Sequence, residues 1–171
     1  MPAIEQISES LIRENITRAV GNVFKTMLGR PVLLAESEAG AGGESQPKMI
    51  APQVVGTVGF VGDASGLIYL YLGEAFANHF TGHVLGLSDF EMKTAGENVV
   101  NDAIGELTNM VAGSFKSALC DAGYPCKLAI PSILRGRNFC IESLSSAQRH
   151  TYRFDCGGHP VITDIIVKSC D

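Results

Sequence analysis

Glu106 and Asn109 are the residues of this 171-residue chain whose types and spacing best suit chemistry. They lie in the run Asn101-Asp102-Ala103-Ile104-Gly105-Glu106-Leu107-Thr108-Asn109-Met110-Val111-Ala112-Gly113-Ser114-Phe115-Lys116. A carboxylate accepts hydrogen bonds and pairs with cations. A carboxamide both donates and accepts, and it does not titrate near neutral pH. Three residues apart on a helix, the two project one turn apart from one face. Such a pair on one helix face suits contact with another protein.

The helix that must present this pair separates cleanly into faces at 100° per residue. Val100, Ile104, Leu107, Val111, Phe115 and Ala118 form a core-facing stripe. Asp102, Glu106, Asn109 and Lys116 fall opposite, with Gly113 among them and Gly105 at the margin. Each interior glycine costs a helix roughly 1 kcal/mol relative to alanine. Beside an acid and an amide, the glycines leave a low, bare surface that another backbone could approach. This face is expected to meet another protein, with Asp102, Gly105 and Gly113 shaping the contact. Lys116 reads as solvated.

Other candidate chemistry is weaker. His79 and His83 have the i, i+4 spacing of a helical metal pair, but Phe80 stands where an HExxH protease carries its glutamate. No third ligand is evident, so both read as surface or satisfied histidines and no metal site is expected. The five cysteines (Cys120, Cys126, Cys140, Cys156, Cys170) contain no CxxC pair and read as free thiols of a reducing compartment. Gly42-Gly43 lacks the Gly-Lys-Ser/Thr continuation of a phosphate loop, and no Gly-x-Ser-x-Gly elbow occurs.

The composition is 46% hydrophobic and 18% charged, which suits one folded domain rather than a disordered chain. A net charge of −5 argues against non-specific nucleic-acid or anionic-membrane binding. No apolar run is long enough to cross a bilayer, and the N-terminus has no basic-then-apolar signal, so a cytoplasmic protein is expected.

Along the chain, residues 4–28 read as an amphipathic helix stopped by Gly29-Arg30-Pro31, and 32–35 as a short strand. Residues 36–51 are rich in Gly, Ser, Ala and Glu and read as a loop or weakly paired excursion. Residues 54–61 and 67–72 form a hairpin that is apolar on both faces, so its sheet is expected to be covered on each side. Residues 74–85 read as a helix, Ser88 caps the next helical region, and the long helix runs over about 95–122 to Gly123-Tyr124-Pro125. Strands are expected at about 126–134, 138–144, 149–155 and 160–168.

An internal regularity joins these elements. Phe24-Lys25 and Leu28 match Phe115-Lys116 and Leu119 at a spacing of 91 residues. Gly29, Pro31, Leu34-Ala35, Thr57, Phe60 and Ile68 match Gly123, Pro125, Leu128-Ala129, Thr151, Phe154 and Ile162 at 94. This pattern predicts an α+β domain built from two copies of a helix-plus-antiparallel-strands unit, about 4–72 and 95–168. Two long helices would then pack on a β-sheet. Carried back by 91, Glu106 and Asn109 land on Asn15 and Arg18, so the acid–amide pair belongs to the second long helix alone.

At this point the residues resemble a known family. Asp102-x3-Glu106-x2-Asn109 with Pro131 beyond it is similar to the signature of the CheC/CheX/FliY phosphatases of bacterial chemotaxis. The run Gly105–Gly113 carries most of the likeness. The interval to Pro131 is one residue shorter than the family pattern, and Pro131 reads as structural. A single motif-bearing helix makes the chain most like the CheX members. The resemblance implies a CheC-like fold, a homodimer associating through β-sheets, and a substrate: the aspartyl phosphate of a CheY-type response regulator. In that role Glu106 would pair with a receiver lysine, and Asn109 would orient the attacking water. The receiver would supply Mg²⁺, with no cofactor of the chain's own. Two other classes compete with this one. The same fold could bind a receiver or flagellar-switch partner without hydrolysis, or a metal-binding dimer could use His79 and His83.

Overall fold

In a computed structural model, residues 7–41, 52–138, 141 and 147–168 are described. Helix α1 (Glu9–Leu28) starts where the Ser8 hydroxyl accepts the Leu11 amide at 3.2 Å, and ends on Gly29 in the left-handed region at φ 66°. Helix α2 spans Glu74–Leu85, as expected. Helix α3 (Asp89–Ala95) opens with a reciprocal capping box between Ser88 and Glu91. Helix α4 (Glu97–Asp121) is the long helix of the acid–amide pair; it gives way to Gly123 at φ 95° and Pro125.

The strands are β1 (Leu33–Ala41), β2 (Gln53–Gly62), β3 (Gly66–Gly73), β4 (Cys126–Leu128), β5 (Ser132–Gly136), β6 (Ala147–Cys156) and β7 (His159–Lys168). They form one antiparallel sheet in the order β1-β6-β7-β3-β2-β4, and β5 pairs with β2 along the same edge as β4. The β2–β3 hairpin meets the β6–β7 hairpin at the centre, where β3 pairs with β7. Each outer edge is closed by strands from the other half of the chain. β1 joins β6, while β4 and β5 join β2. β2 and β6 stand 94 residues apart at both ends. The arrangement of helices with antiparallel strands is the α+β class expected.

Several boundaries differ from the sequence reading. β1 continues past residue 35 to Ala41, because the β6 edge supplies a ladder to a segment whose composition carries no period. The strand expected over 126–134 is broken between Leu128 and Ser132. In the strand expected over 138–144, Asn138 has a φ of 53°, which an extended strand does not accommodate. The rest of it, apart from Ile141, lies outside the described residues, as do residues 4–6 of the first helix and Cys140 and Cys170.

The core lies between the helices and one face of the sheet. Ile12, Ile16, Val20 and Phe24 of α1 and Ile104, Leu107, Val111 and Phe115 of α4 are buried against Val54, Val58, Phe60, Ile68, Leu70 and Leu72. Burial of this apolar surface is the main force holding the layers together. Phe24 packs on Phe76 and Phe80 of α2, with ring centroids 6.4 and 6.1 Å apart, and Phe60 meets Phe115 edge-on at 6.2 Å.

Among the described residues the opposite face is covered only in part, where the sequence predicts two covered faces. Val55, Tyr71 and Ile162 are buried there with Tyr69 and Ile141 beside them. Val61, Leu67 and Leu134 on the same face are 68%, 40% and 39% exposed. Within this layer Arg149 grips Asp164 with both ends of its guanidinium, Nε donating to Oδ1 at 3.0 Å and Nη2 to Oδ2. Arg149 Nη1 donates to the Ile141 carbonyl at 2.6 Å, and the Thr151 hydroxyl donates to Asp164 Oδ1 at 3.2 Å.

Candidate functional site

The apolar stripe of α4 sits on the sheet slightly rotated from the expected one. Thr108, Ala112 and Leu119 are buried along with Val100, Ile104, Leu107, Val111 and Phe115, whereas Ala118 is only half-buried. The contact that sets this rotation is between Thr108 and Gly56 of β2. A Cβ added at Gly56 would stand 1.8 Å from Thr108 Oγ1 and 2.8 Å from its Cβ. The Thr108 hydroxyl turns back to donate to the Ile104 carbonyl at 2.7 Å, which satisfies a fully buried polar group. Glycine at 56 therefore lets the helix backbone approach the strand closely, directly beneath the residue that precedes Asn109.

Gly56→Ala is expected to lower stability by about 1–3 kcal/mol through overpacking. In thermal denaturation that amounts to a drop of roughly 2–4 °C per kcal/mol for a chain of this size. Adding Thr108→Ala should recover part of the loss. Full additivity of the two substitutions would show that the contact is not the cause.

With Thr108 pointing at the sheet, Gly105 is turned from it by roughly 60°, Asn109 by about 100°, Gly113 by about 140° and Glu106 by about 160°. Glu106 and Asp102 are accordingly exposed, while Asn109, Gly105 and Gly113 are half-buried on one flank. That flank leans toward the β4/β5 edge. At its N-terminal end Arg135 of β5 donates through Nε to Asn101 Oδ1 at 2.6 Å and through Nη2 to the Glu97 carbonyl at 3.5 Å. At its C-terminal end the Cys120 thiol donates to the Cys126 carbonyl at 3.8 Å. Burial raises the Cys126 thiol above its ordinary range, so it is a poor candidate nucleophile. Between these ties runs a shallow strip of surface bounded by α4 on one side and the β4–β5 edge on the other.

Gly105 and Gly113 face open space: an added Cβ would meet nothing within 4 Å at either position. Packing within the chain therefore does not require these glycines, unlike Gly56. Lys116, on the same flank, is half-buried rather than fully solvated. On α1, Asn15 is 8% exposed and Arg18 is exposed, so the first long helix offers no acid–amide surface. Pro131 lies half-buried in the break between β4 and β5.

His79 and His83 are exposed and line a cleft of about 590 Å³ between α2 and α3, with Asp89 and Lys93 on its rim. The His79 ring stacks near Phe76 and His159, at centroid distances of 6.4 and 6.2 Å. Among the described residues, no three His, Cys, Asp or Glu side chains group in a way that could hold a metal ion. No described helix is long and apolar enough to cross a membrane.

Gly56 and Arg135 are the supporting residues that the sequence reading did not single out. A glycine within a strand signals close backbone approach, a signal that Gly56 shares with Gly59 in the same strand. Nothing local marks Arg135, whose partner is 34 residues away.

Helices laid on one antiparallel sheet with crossed edges give the chain the CheC-like α+β fold. The family model described as "Chemotaxis phosphatase CheX" matches residues 54–155, and the chain belongs to that family. Solved structures agree on the fold. A CheC-like superfamily protein from Shewanella sp. PV-4 is 24% identical with a TM-score of 0.78, the match covering 95% of this chain and 100% of that one. Chemotaxis protein CheX from Vibrio vulnificus is 22% identical with a TM-score of 0.76, covering 92% and 99%. A chain of the CheX-CheY-BeF3-Mg²⁺ complex from Borrelia burgdorferi is 19% identical with a TM-score of 0.74, covering 92% and 98%. No curated protein matches the chain.

Proposed function

We propose that this protein is a phosphatase that hydrolyses the aspartyl phosphate of a CheY-type response regulator, with Asn109 and Glu106 as its working residues. The observation that carries this reading is the surface position of the exposed Glu106 and the half-buried Asn109 on α4 in a chain of the CheX family. The Borrelia relative, solved with CheY, BeF3 and Mg²⁺, supports both the partner and a metal ion supplied with it.

An acyl phosphate held with its own Mg²⁺ already has much of its charge neutralised, so the contribution left to a partner is geometric. Asn109 would enter the receiver's site and hold one water through its side-chain carbonyl, in line with the bond to be broken. Water oxygen bonds to phosphorus and the phosphorus–carboxylate bond breaks. The aspartate leaves as carboxylate, and the water protons pass to phosphate and solvent. Glu106, one turn earlier, would pair with a lysine of the receiver and set the depth of insertion. Asp102 would line the rim, while Gly105 and Gly113 let the partner's backbone come close. Sheet-to-sheet association into a homodimer is part of the same reading.

A phosphate-release assay against a panel of phosphorylated receivers in Mg²⁺ tests the proposal. Faster release from one of them is the expected result. Binding to a phosphorylated receiver with no change in phosphate lifetime would favour a non-catalytic docking module instead. Gly105→Ala gives a sharper check, because the fold has room for the methyl group. The variant should melt at an equal or higher temperature, with a gain of up to about 1 kcal/mol in helix stability. Its KM for the phosphorylated receiver should nevertheless rise. A KM equal to wild type would remove the close-approach role assigned to this glycine.

A further inference from the structure

We infer that Ile130 is a second docking determinant of this site, an apolar anchor for the receiver beside the flank of α4; the inference rests on the phosphatase reading above. Among the described residues Ile130 is the most exposed large hydrophobic side chain, at 88%. A single exposed apolar residue needs no explanation in itself. The placement of Ile130 does.

β4 pairs Leu128 with Phe60, and β5 resumes by pairing Ser132 with Thr57. Residues 129–131 therefore span a gap that β2 crosses with Val58 and Gly59 alone, which is one residue too many for a regular ladder. The extra residue makes a bulge, a feature that bends an edge strand and re-aims a side chain. Its base is held firmly: the Ala129 amide donates to the Gly59 carbonyl at 2.8 Å. Pro131, with its fixed φ, follows directly. Ile130 is thus presented on a braced segment and would lose little freedom on contact.

The register places this bulge beside the acid–amide flank. Leu128 lies opposite Phe60, whose ring meets Phe115, and Ile133 lies opposite Gly56, which sits beneath Thr108. The bulge therefore runs alongside the stretch of α4 that holds Asn109 and Gly113. The same flank is tied to this edge at both ends, by Arg135 and by Cys126. A partner that brings its site over Asn109 would meet the bulge as the neighbouring wall. Gly105 and Gly113 offer it no side chains, and Ile130 presents the most exposed apolar side chain of this edge.

The test is steady-state dephosphorylation of a CheY-type receiver, phosphorylated by acetyl phosphate in excess Mg²⁺, with the full chain as enzyme. Ile130→Ser is expected to raise KM roughly tenfold to a hundredfold, the range that loss of one buried aliphatic side chain produces. Its kcat should stay within about twofold of wild type, as for a residue that only docks. Ile130→Ala should show the same split, and Ile130→Leu should restore most of the affinity. Unchanged KM in both truncations, with Asn109→Ala inactive, would overturn the role of Ile130 and leave the phosphatase reading standing. Unchanged rates in all of them, Asn109→Ala included, would overturn both. A change of oligomeric state in Ile130→Ser by sedimentation would assign the residue to a second copy of the chain and overturn the inference as well.

Discussion

Asn109→Ala should lose the acceleration of receiver dephosphorylation almost entirely, by about 10²-fold or more, while its melting temperature stays at the wild-type value. The size follows from the role: an amide whose work is to hold one water in line leaves, when removed, a site unable to present the nucleophile. The unchanged stability follows from position, because Asn109 is half-buried on a flank and lies outside the buried stripe of α4. Glu106→Ala should behave differently. Losing one hydrogen bond to a charged partner costs about 1.5–3 kcal/mol, so KM rises by roughly one to two orders of magnitude and kcat changes little. Single-turnover measurements at saturating receiver separate the two effects. Full activity of Asn109→Ala would remove the catalytic assignment at once.

The largest effect on stability should come from the far side of the sheet. Asp164 is fully buried and Arg149 is 5% exposed, each surrounded by strands. Burial raises the Asp164 carboxyl above its ordinary range even with the guanidinium bound to it. Desolvation of the acid thus outweighs its attraction to the partner, and the pair as a whole is not expected to be a strong net source of stability. Removing one member is another matter. Asp164→Ala strands a buried guanidinium and leaves the Thr151 hydroxyl without its acceptor, and should cost about 3–5 kcal/mol. The double variant Arg149→Met/Asp164→Leu, with apolar groups of similar volume, should lie much closer to wild type. Urea denaturation of the two single variants and the double checks this. A double variant as unstable as the sum of the singles would mean the ion pair itself, rather than its completeness, holds the layer.

The elements that local chemistry specifies were legible in the sequence. Ser88, Gly29, and Gly123 with Pro125 mark helix ends because caps are satisfied within a few residues. The apolar period of α4 exposes Glu106 and Asn109 as the residues left over. A helical wheel divides inside from outside but says nothing about which neighbour each flank meets. That Asn109 leans toward the β4/β5 edge depends on Arg135 reaching Asn101 and on Gly56 admitting Thr108, and both contacts join distant parts of the chain. The break between β4 and β5 was hidden for a similar reason. Residues 126–134 read as one strand on composition, and only the register against β2 shows that one residue does not fit. The buried Arg149–Asp164 pair was equally invisible, because an alternating strand places charged residues outward by default.

The crossed edges of the sheet bear on how the chain must be made. β1 awaits β6, more than a hundred residues downstream, and β3 cannot gain its second neighbour until β7 exists. A nascent chain emerging N-terminus first can form α1 and the β2–β3 hairpin, but with both flanks of that hairpin unpaired. The sheet closes only when the last strand leaves the ribosome. Such non-local pairing slows folding and leaves bare strand edges exposed in the meantime. Closure of this sheet is therefore a single decisive step, and the central strand β7 is the one that completes it.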